Sequence, residues 1–302
     1  MNWDKIGVFD AQNYTNDWFA NSALQPTPIV LAHAIRVFCG FRDSFGISRV
    51  GYVDLDLQDP SKILKVSDMP VLDVGKPGCF DDNGVVPSAV LQIEDKIYLY
   101  YAGYQIPKQV RFLVFGGLAV SEDFGNTFKR CYNVPVLDRT EDEQLFRVAH
   151  SVLKIGDDIH TYYGGGSEFD SGHNKTLPKY DIRYLKSQSH SEFPKSGKIL
   201  LKCENNEHRL GRPYVFKNDN HYEMYFGYGT EENPYWLTSA VSTDMENWER
   251  SQKRIVPEGA NMNDDKMQAY PAVFEVDNVK YLLYNGNDYG KYGFIICKEI
   301  LK

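Results

Sequence analysis

Three carboxylates in this sequence stand where an acid could reach a bound ligand. Asp43 ends an apolar run, Asp81 precedes an Asn-Gly turn, and Glu168 lies two residues after three consecutive glycines. Glycoside cleavage uses one carboxylic acid to protonate the leaving oxygen and a second carboxylate to activate water or attack the sugar. We therefore predict Asp81 and Glu168 as an acid and base pair, with Asp43 as a third catalytic carboxylate.

Each of these carboxylates also has a structural interpretation. Asp81 could cap the turn that follows it, because aspartate readily bonds backbone N–H groups two residues further on. Glu168 could be a solvated loop acid, and Asp43 could form an internal ion pair with Arg42. The sequence leaves these alternatives open.

A second set of side chains could orient a ligand rich in oxygen atoms. Planar arginine and amide groups fix hydroxyls and anions through paired hydrogen bonds, while aromatic rings stack on sugar faces. The residues that we expect to bind substrate are Arg42, Arg147, His150, Arg212, Gln268, Asn285 and Asn287. His150 has the alternative of a core histidine, and the two asparagines that of turn formers.

These residues lie far apart along the chain, so their meeting depends on an internal repeat. An apolar entry marker recurs roughly every 60 residues, a period typical of propellers and solenoids. The five markers begin near Pro28, Pro87, Ala149, Pro213 and Pro271. The last four lead through a turn to an aromatic run and a glycine, as in Tyr98–Tyr101 before Gly103. Repeated hairpins of this kind predict an all-β fold.

We interpret the five repeats as the blades of a β-propeller in which residues 1–302 form a single domain. The loops that enter the innermost strands should then converge on one mouth, where a ligand would bind. The fifth repeat ends soon after Phe294–Cys297, which would leave a strand edge unpaired. We expect Ile6–Phe9 to supply the missing outer strand.

Composition and charge exclude several other classes. The 302 residues carry 33 basic and 41 acidic side chains, a net charge of -8, which provides no overall positive field for nucleic acid. The sequence has neither a long apolar span nor a secretory leader, so we expect no membrane insertion and a cytoplasmic location.

The five cysteines, Cys39, Cys79, Cys131, Cys203 and Cys297, lack metal-binding spacing and should be free thiols. We expect no cofactor, with a structural hard cation in the channel as the alternative.

A family resemblance rests on longer stretches of the chain. These stretches are Phe41–Asp43, Ser48–Asp56, Gly78–Pro87, Tyr100–Gly103 and Leu283–Gly290. They resemble the glycosidase-like five-bladed propeller proteins associated with bacterial surface-saccharide biosynthesis. That group is more distantly similar to the invertase, arabinanase and mannoside-phosphorylase families. The resemblance covers nearly the full chain and implies the propeller fold and an association with sugars.

One departure from the family pattern bears on the reaction. The resemblance implies an aspartate beside Pro28 as base or nucleophile, yet this chain has Thr27 there. The leading hypothesis is a carbohydrate-active enzyme that cleaves or transfers a glycosyl unit. One alternative is an inverting phosphorylase whose phosphate is held by Arg42, Arg147, Arg212 and His150. The other is a non-catalytic propeller that binds a saccharide or nucleotide sugar, neutral or anionic, in polysaccharide biosynthesis.

Overall fold

The computed structural model describes residues 1–256 and 263–300, and the regular secondary structure of these residues is almost entirely β-strand. The first ten strands are β1 (Trp3–Asp10), β2 (Asn21–Val30), β3 (Ile35–Arg42), β4 (Ser48–Leu55), β5 (Ile63–Val66), β6 (Val85–Ile93), β7 (Lys96–Gln105), β8 (Leu113–Ser121), β9 (Lys129–Arg130) and β10 (Phe146–Ile155). The next ten are β11 (Asp158–Ser171), β12 (Thr176–Ser187), β13 (Lys198–Leu201), β14 (Arg209–Asn218), β15 (His221–Gly229), β16 (Trp236–Ser242), β17 (Glu249–Arg250), β18 (Ala269–Val276), β19 (Val279–Asn285) and β20 (Gly293–Glu299). The helical elements are a 3-10 turn at Ala11–Tyr14 and a short turn, α1, at Asn287–Gly290.

The strands pair in five antiparallel groups of four. The first to fourth groups are β2–β5, β6–β9, β10–β13 and β14–β17, and the fifth has the order β1-β20-β19-β18. Short parallel bridges join β8 to β10 and β12 to β14, so groups two to four form one continuous twelve-stranded sheet. One strand of each group contains a repeated marker of the sequence, and we call these strands, β2, β6, β10, β14 and β18, the first strands of their groups.

The first strands of the five groups contact one another in a cycle. Strand β2 contacts β6 and β18, β10 contacts β6 and β14, and β14 contacts β18. The apolar cores lie between consecutive groups, because successive side chains of a strand point to opposite faces. Tyr100 packs against the third group and its neighbour Tyr101 against the first.

The amino-terminal strand completes the fifth group. Strand β1 pairs antiparallel with β20, with Val8 opposite Ile295 and Phe9 opposite Phe294. The predicted outer strand from Ile6–Phe9 is therefore confirmed. No helix in the described ranges is long and apolar enough to cross a membrane.

Each first strand carries an irregularity at its marker. The register shifts between Leu24 and Thr27 in β2, between Gly211 and Tyr214 in β14, and between Ala269 and Ala272 in β18. Similar shifts occur in β6 and β10. An extra residue in a strand redirects its side chains, so the bulges decide which side chains the first strands turn toward their shared centre.

Candidate binding site

A cavity of about 440 Å³ opens where the entry ends of the first strands meet. Aromatic residues form much of its wall, namely Phe45, Tyr104, Phe112, Phe146, Tyr180, Tyr235, Tyr270 and Tyr289. Its charged lining residues are Arg42, Arg111, Arg209 and Arg212, and no aspartate or glutamate of the described ranges lines it. The cavity therefore combines stacking surfaces with positive charge.

Arg212 is part of this lining and is almost completely buried, with 1% of its surface exposed. Its φ of 48° is in the left-handed region, which a non-glycine residue occupies only when the surrounding structure holds it there. The guanidinium donates to the Tyr270 carbonyl at 3.1 Å, the Pro26 carbonyl at 2.9 Å and Thr27 Oγ1 at 2.7 Å. Its Nε has no partner among the described residues.

Burial lowers the pKa of the Arg212 guanidinium to about 10, so the group remains charged at neutral pH. No carboxylate of the described ranges forms an ion pair with it. An arginine that keeps its charge in a buried position normally needs an anionic partner.

Arg209 is the second buried cation of the lining. Its Nη2 donates to the Pro234 carbonyl at 2.8 Å and to the Tyr289 hydroxyl at 3.0 Å. The guanidinium carbon lies 4.2 Å from the ring centroid of Tyr235, a cation–π distance. Within the described part of the chain its Nε is unpartnered, and no carboxylate pairs with it.

Two neutral groups complete what we call the cavity floor, which comprises Gln25, His150, Arg209 and Arg212. Burial, and then the charge of Arg212, lower the pKa of His150 to about 3, so its imidazole is neutral at physiological pH. Gln25 Oε1 and His150 Nδ1 are buried atoms without a hydrogen-bond partner among the described residues. The floor thus offers unused donors and acceptors beside two cations.

We call Arg42 and Arg111 the cavity rim. Arg42 is half-buried at the end of β3, and Arg111 is exposed in the segment before β8. Neither forms an ion pair with a described carboxylate. Both are free to contact a ligand that enters through the mouth.

Asn285 lies behind the floor. It is completely buried, and its Oδ1 accepts from the Gln25 backbone N–H at 2.8 Å. Its Nδ2 donates to the carbonyls of Ala23 at 2.8 Å and Gly293 at 2.7 Å. Asn285 therefore positions the Gln25 backbone, which has a φ of 52°.

The predicted acid Asp81 lies outside the cavity in a buried ion pair. Its carboxylate is 2.7 Å from Arg130 Nη2 and accepts from the Tyr101 hydroxyl at 3.1 Å. Its role as a catalytic acid is not tested by this placement and stays a prediction. Arg130 and Tyr101 nevertheless give Asp81 a structural function. They hold its carboxylate between β7, the second strand of the group, and β9, the outer strand.

Two further acids repeat this arrangement. Glu143 accepts from Tyr163 and pairs with Arg147 at 2.6 Å and Arg183 at 3.1 Å. Asp264 accepts from Tyr284 at 2.8 Å and pairs with Lys5 at 2.7 Å. We call these three groups, centred on Asp81, Glu143 and Asp264, the acid clamps. In all three, the tyrosine follows its acid by 20 residues.

Two predicted binding residues belong to the clamps. Arg147 is held by Glu143 and donates to the carbonyls of Asp138 and Pro194. The Gln268 amide donates to Asp264 at 3.1 Å. Neither side chain lines the cavity.

The remaining predicted residues lie at the surface or in loops. Asp43 pairs with Arg49 at 2.8 Å and accepts from the backbone of Phe45 and Ile47. Burial acts to raise the pKa of Asp43, but these hydrogen bonds outweigh it and hold the pKa below its usual value. Glu168 is exposed and pairs with Lys179 at 3.2 Å. Asn287, the first residue of the short turn α1, donates to Asp265 and accepts from the Lys266 backbone N–H.

The structure thus brings Arg42, His150 and Arg212 together in one cavity. It does not bring Asp43, Asp81 and Glu168 there, because each of these acids has a cation of its own elsewhere. Sequence reasoning missed Gln25, Arg111 and Arg209. The sequence carried a signal for Gln25 and Arg209. The entry segments that contain them, Asn21–Gln25 and Arg209–Arg212, have no acid.

The described residues hold no group of three or more histidine, cysteine, aspartate and glutamate side chains suited to a metal ion. The arrangement instead suits a ligand that stacks on aromatic rings and accepts hydrogen bonds from arginines. Such a ligand is rich in oxygen atoms.

Comparison with known proteins places the fold. No family model matches the chain. An uncharacterised protein of Mycobacterium tuberculosis is 29% identical over 300 residues, which cover 97% of this chain and 98% of that protein. Three solved structures illustrate the fold: a glycoside hydrolase, an α-L-arabinofuranosidase from Lactobacillus brevis, and a protein of the GH130 family of mannoside phosphorylases and hydrolases.

The glycoside hydrolase has a TM-score of 0.75 at 17% identity and covers 99% of this chain and 92% of its own. The arabinofuranosidase has a TM-score of 0.71 at 9% identity and covers 97% of this chain and 95% of its own. The GH130 protein has a TM-score of 0.70 at 12% identity and covers 98% of this chain and 93% of its own. At these identities the likeness shows a glycosidase-like, propeller-type fold.

Proposed function

We propose that this protein binds a saccharide in the cavity without cleaving it. The five strand groups would be the blades of a single-domain, five-bladed propeller, with the cavity at its axial mouth. The cycle of contacts among β2, β6, β10, β14 and β18 supports this arrangement. The fold of the glycosidase-like structures, which spans nearly the whole chain, supports a sugar ligand.

The observation that carries the proposal is the chemistry of the cavity lining. Its aromatic wall suits the faces of a sugar, and its arginines suit oxygen atoms. Hydrolysis by the two-carboxylate mechanism needs both carboxyl groups beside the scissile bond. No described carboxylate lines this cavity, so the lining favours binding over hydrolysis.

The hydrolase hypothesis would require Asp81 to leave Arg130 and Tyr101, and Glu168 or Asp43 to move to the same mouth. A phosphorylase would still need an acid for the leaving oxygen. His150 is neutral at physiological pH, and burial raises the pKa of the lining tyrosines Tyr180, Tyr235 and Tyr270. These groups are poorly matched to proton donation near neutral pH.

Location and pathway belong to the proposal as well. All five cysteines, each within the described ranges, are free, which supports a reducing compartment such as the cytoplasm. The sequence resemblance supports a place in saccharide biosynthesis, in which a binding propeller would present a sugar to partner enzymes.

Calorimetry with a panel of sugars and sugar phosphates tests binding, and product analysis with aryl glycosides and oligosaccharides, with and without phosphate, tests turnover. We expect heat of binding without product. Replacing the wall residue Tyr289 by alanine should weaken binding, whereas Tyr132→Ala, an exposed tyrosine outside the cavity, should not. Turnover that Asp81→Asn or Glu168→Gln abolishes would overturn the proposal.

A further inference from the structure

We infer that the ligand carries an oxyanion, a carboxylate or a phosphate ester, that binds Arg209 and Arg212 on the cavity floor. This inference rests on the proposed saccharide binding and adds the charge of the ligand. On this inference, the two buried arginines serve to bind the ligand and not to stabilise the core.

The described residues include four arginines that are buried as whole residues: Arg36, Arg147, Arg209 and Arg212. Two of them have an acid that belongs to the fold. Arg36 pairs with Asp54 at 2.8 Å, and Arg147 pairs with Glu143 at 2.6 Å. Arg209 and Arg212 have no such partner in the described ranges, although they are only 7% and 1% exposed.

An unpaired buried charge is costly, because desolvation disfavours it and no Coulomb attraction offsets the loss. Both unpaired arginines line the same cavity, and the Nε of each is without a described hydrogen-bond partner. An oxyanion entering the cavity would supply the missing charge and accept from these N–H groups. The vacant hydrogen-bonding capacity and the missing charge therefore point to one ligand group.

The rest of the floor suits the sugar that carries this anion. Gln25 Oε1 and His150 Nδ1 are neutral buried atoms that remain available to hydroxyl groups. Arg42 and Arg111 add positive charge at the rim, so the cavity is basic in a protein whose net charge is -8. A neutral sugar would leave the two buried arginines of the floor without a counter-ion.

Thr27 shows why the floor remains positively charged. Its hydroxyl accepts from Arg212 at 2.7 Å and donates to the Gln25 carbonyl at 2.8 Å. An aspartate at this position has nearly the same size as threonine and would place a carboxylate beside Arg212. Thr27→Asp therefore supplies an internal anion that competes with the ligand, while Thr27→Asn changes the shape equally without the charge.

The test is calorimetric titration of the full chain with inorganic phosphate, glucose, glucuronate and glucose 6-phosphate at low salt. We expect the wild type to bind phosphate and to bind at least one acidic sugar about tenfold or more tighter than glucose. Thr27→Asp should weaken binding of the anions about tenfold or more relative to Thr27→Asn. Melting temperatures of the two variants show whether both fold, and Arg209→Gln provides a second variant if Thr27→Asp does not.

The outcomes separate the inference from the proposed function. Equal affinity for glucose and its acidic derivatives, unchanged by Thr27→Asp, would overturn the inference and leave saccharide binding intact. Phosphate binding that Thr27→Asp weakens, with no sugar bound, would support the anion site and contradict saccharide binding. No heat from phosphate or from either acidic sugar would overturn the inference. Preference for glucuronate or for glucose 6-phosphate would distinguish a carboxylate from a phosphate ester.

Discussion

The acid clamps and the cavity floor use the same types of residue for different purposes. Both place cations next to tyrosines, and each includes a buried arginine, Arg147 in a clamp and Arg209 and Arg212 on the floor. In the clamps, Asp81, Glu143 and Asp264 neutralise the cations. On the floor no described residue does so. A buried arginine therefore indicates a ligand site only where the fold does not supply its counter-ion.

The clamps should matter for stability and the floor for binding. An acid buried with its cation holds neighbouring strands together. Removing the acid leaves the buried cation without a counter-ion. A floor arginine has no counter-ion in the described part of the fold, so we assign its anionic partner to the ligand. Four predictions separate the two regions.

The largest expected effect is on stability, at the clamp with two arginines. Glu143 is completely buried, so Glu143→Gln leaves Arg147 and Arg183 without their carboxylate and should reduce the free energy of unfolding by about 3–5 kcal/mol. Urea unfolding measures the loss. The control is Glu168→Gln, which alters the exposed ion pair with Lys179. It should change the free energy of unfolding by less than about 0.5 kcal/mol. Equal small losses for both variants would show that the clamp is not structural.

Asp81→Asn should have a smaller effect of about 1–3 kcal/mol, because its partner Arg130 keeps contact with water. Saccharide affinity of the folded variant should stay unchanged in calorimetry. This substitution also tests whether Asp81 takes part in function. If it abolishes binding or turnover and leaves stability intact, Asp81 belongs to the functional site.

The third prediction concerns pH. In the folded protein the pKa of His150 is lowered to about 3 from 6.5, so the folded state binds fewer protons than the unfolded state below pH 6.5. Its contribution to stability is complete above pH 6.5 and is lost as the pH falls toward 3. The wild type should therefore lose stability relative to His150→Gln by at most about 1.4 kcal/mol per pH unit.

Unfolding of both proteins in urea between pH 7 and pH 4 measures this difference, since the other titrating groups are common to them. His150 faces Arg212, whose charge does not change in that range. Parallel pH profiles would contradict the assignment of a neutral imidazole on the floor.

The smallest effect is expected at the rim. Arg111 is exposed, so its attraction for an anion is screened by salt. Arg111→Gln should reduce affinity for an acidic sugar by a few-fold, worth less than about 1 kcal/mol, and should flatten the salt dependence of binding. Arg139→Gln, an exposed arginine that does not line the cavity, should leave both unchanged. A loss as large as that from Arg209→Gln would show that the rim belongs to the floor.

The sequence predicted the strands well because their signals are local. Markers, turns and aromatic runs repeat, and the two-residue period of Tyr100 and Tyr101 determines which neighbouring group each ring contacts. The pairing of β1 with β20 followed from an unpaired edge. The number of repeats and the all-β character needed no knowledge of long-range contacts.

The site was harder to predict, since it depends on which face of a strand each side chain occupies. The register shift between Ala149 and Ser151 centres on His150, which lines the cavity, whereas Arg147 lies in the regularly paired part of β10 and turns to Glu143. The bulge in β14 similarly turns Arg212 inward at a left-handed φ. The sequence does not show where a bulge interrupts the alternation.

The catalytic predictions for the acids overlooked a regular spacing. A tyrosine follows Asp81, Glu143 and Asp264 at the same interval in three repeats, and that interval is visible in the sequence. The cation of each clamp was less accessible, because Arg130 lies in a two-residue strand and Lys5 comes from the other end of the chain.

The decisive measurement is a crystal structure of the protein soaked with the tightest-binding acidic sugar. Our expectation is an oxyanion within hydrogen-bonding distance of Arg209 and Arg212, with the sugar against the aromatic wall and the acid clamps unchanged. A sugar bound at Asp81, with its carboxylate released from Arg130, would contradict it.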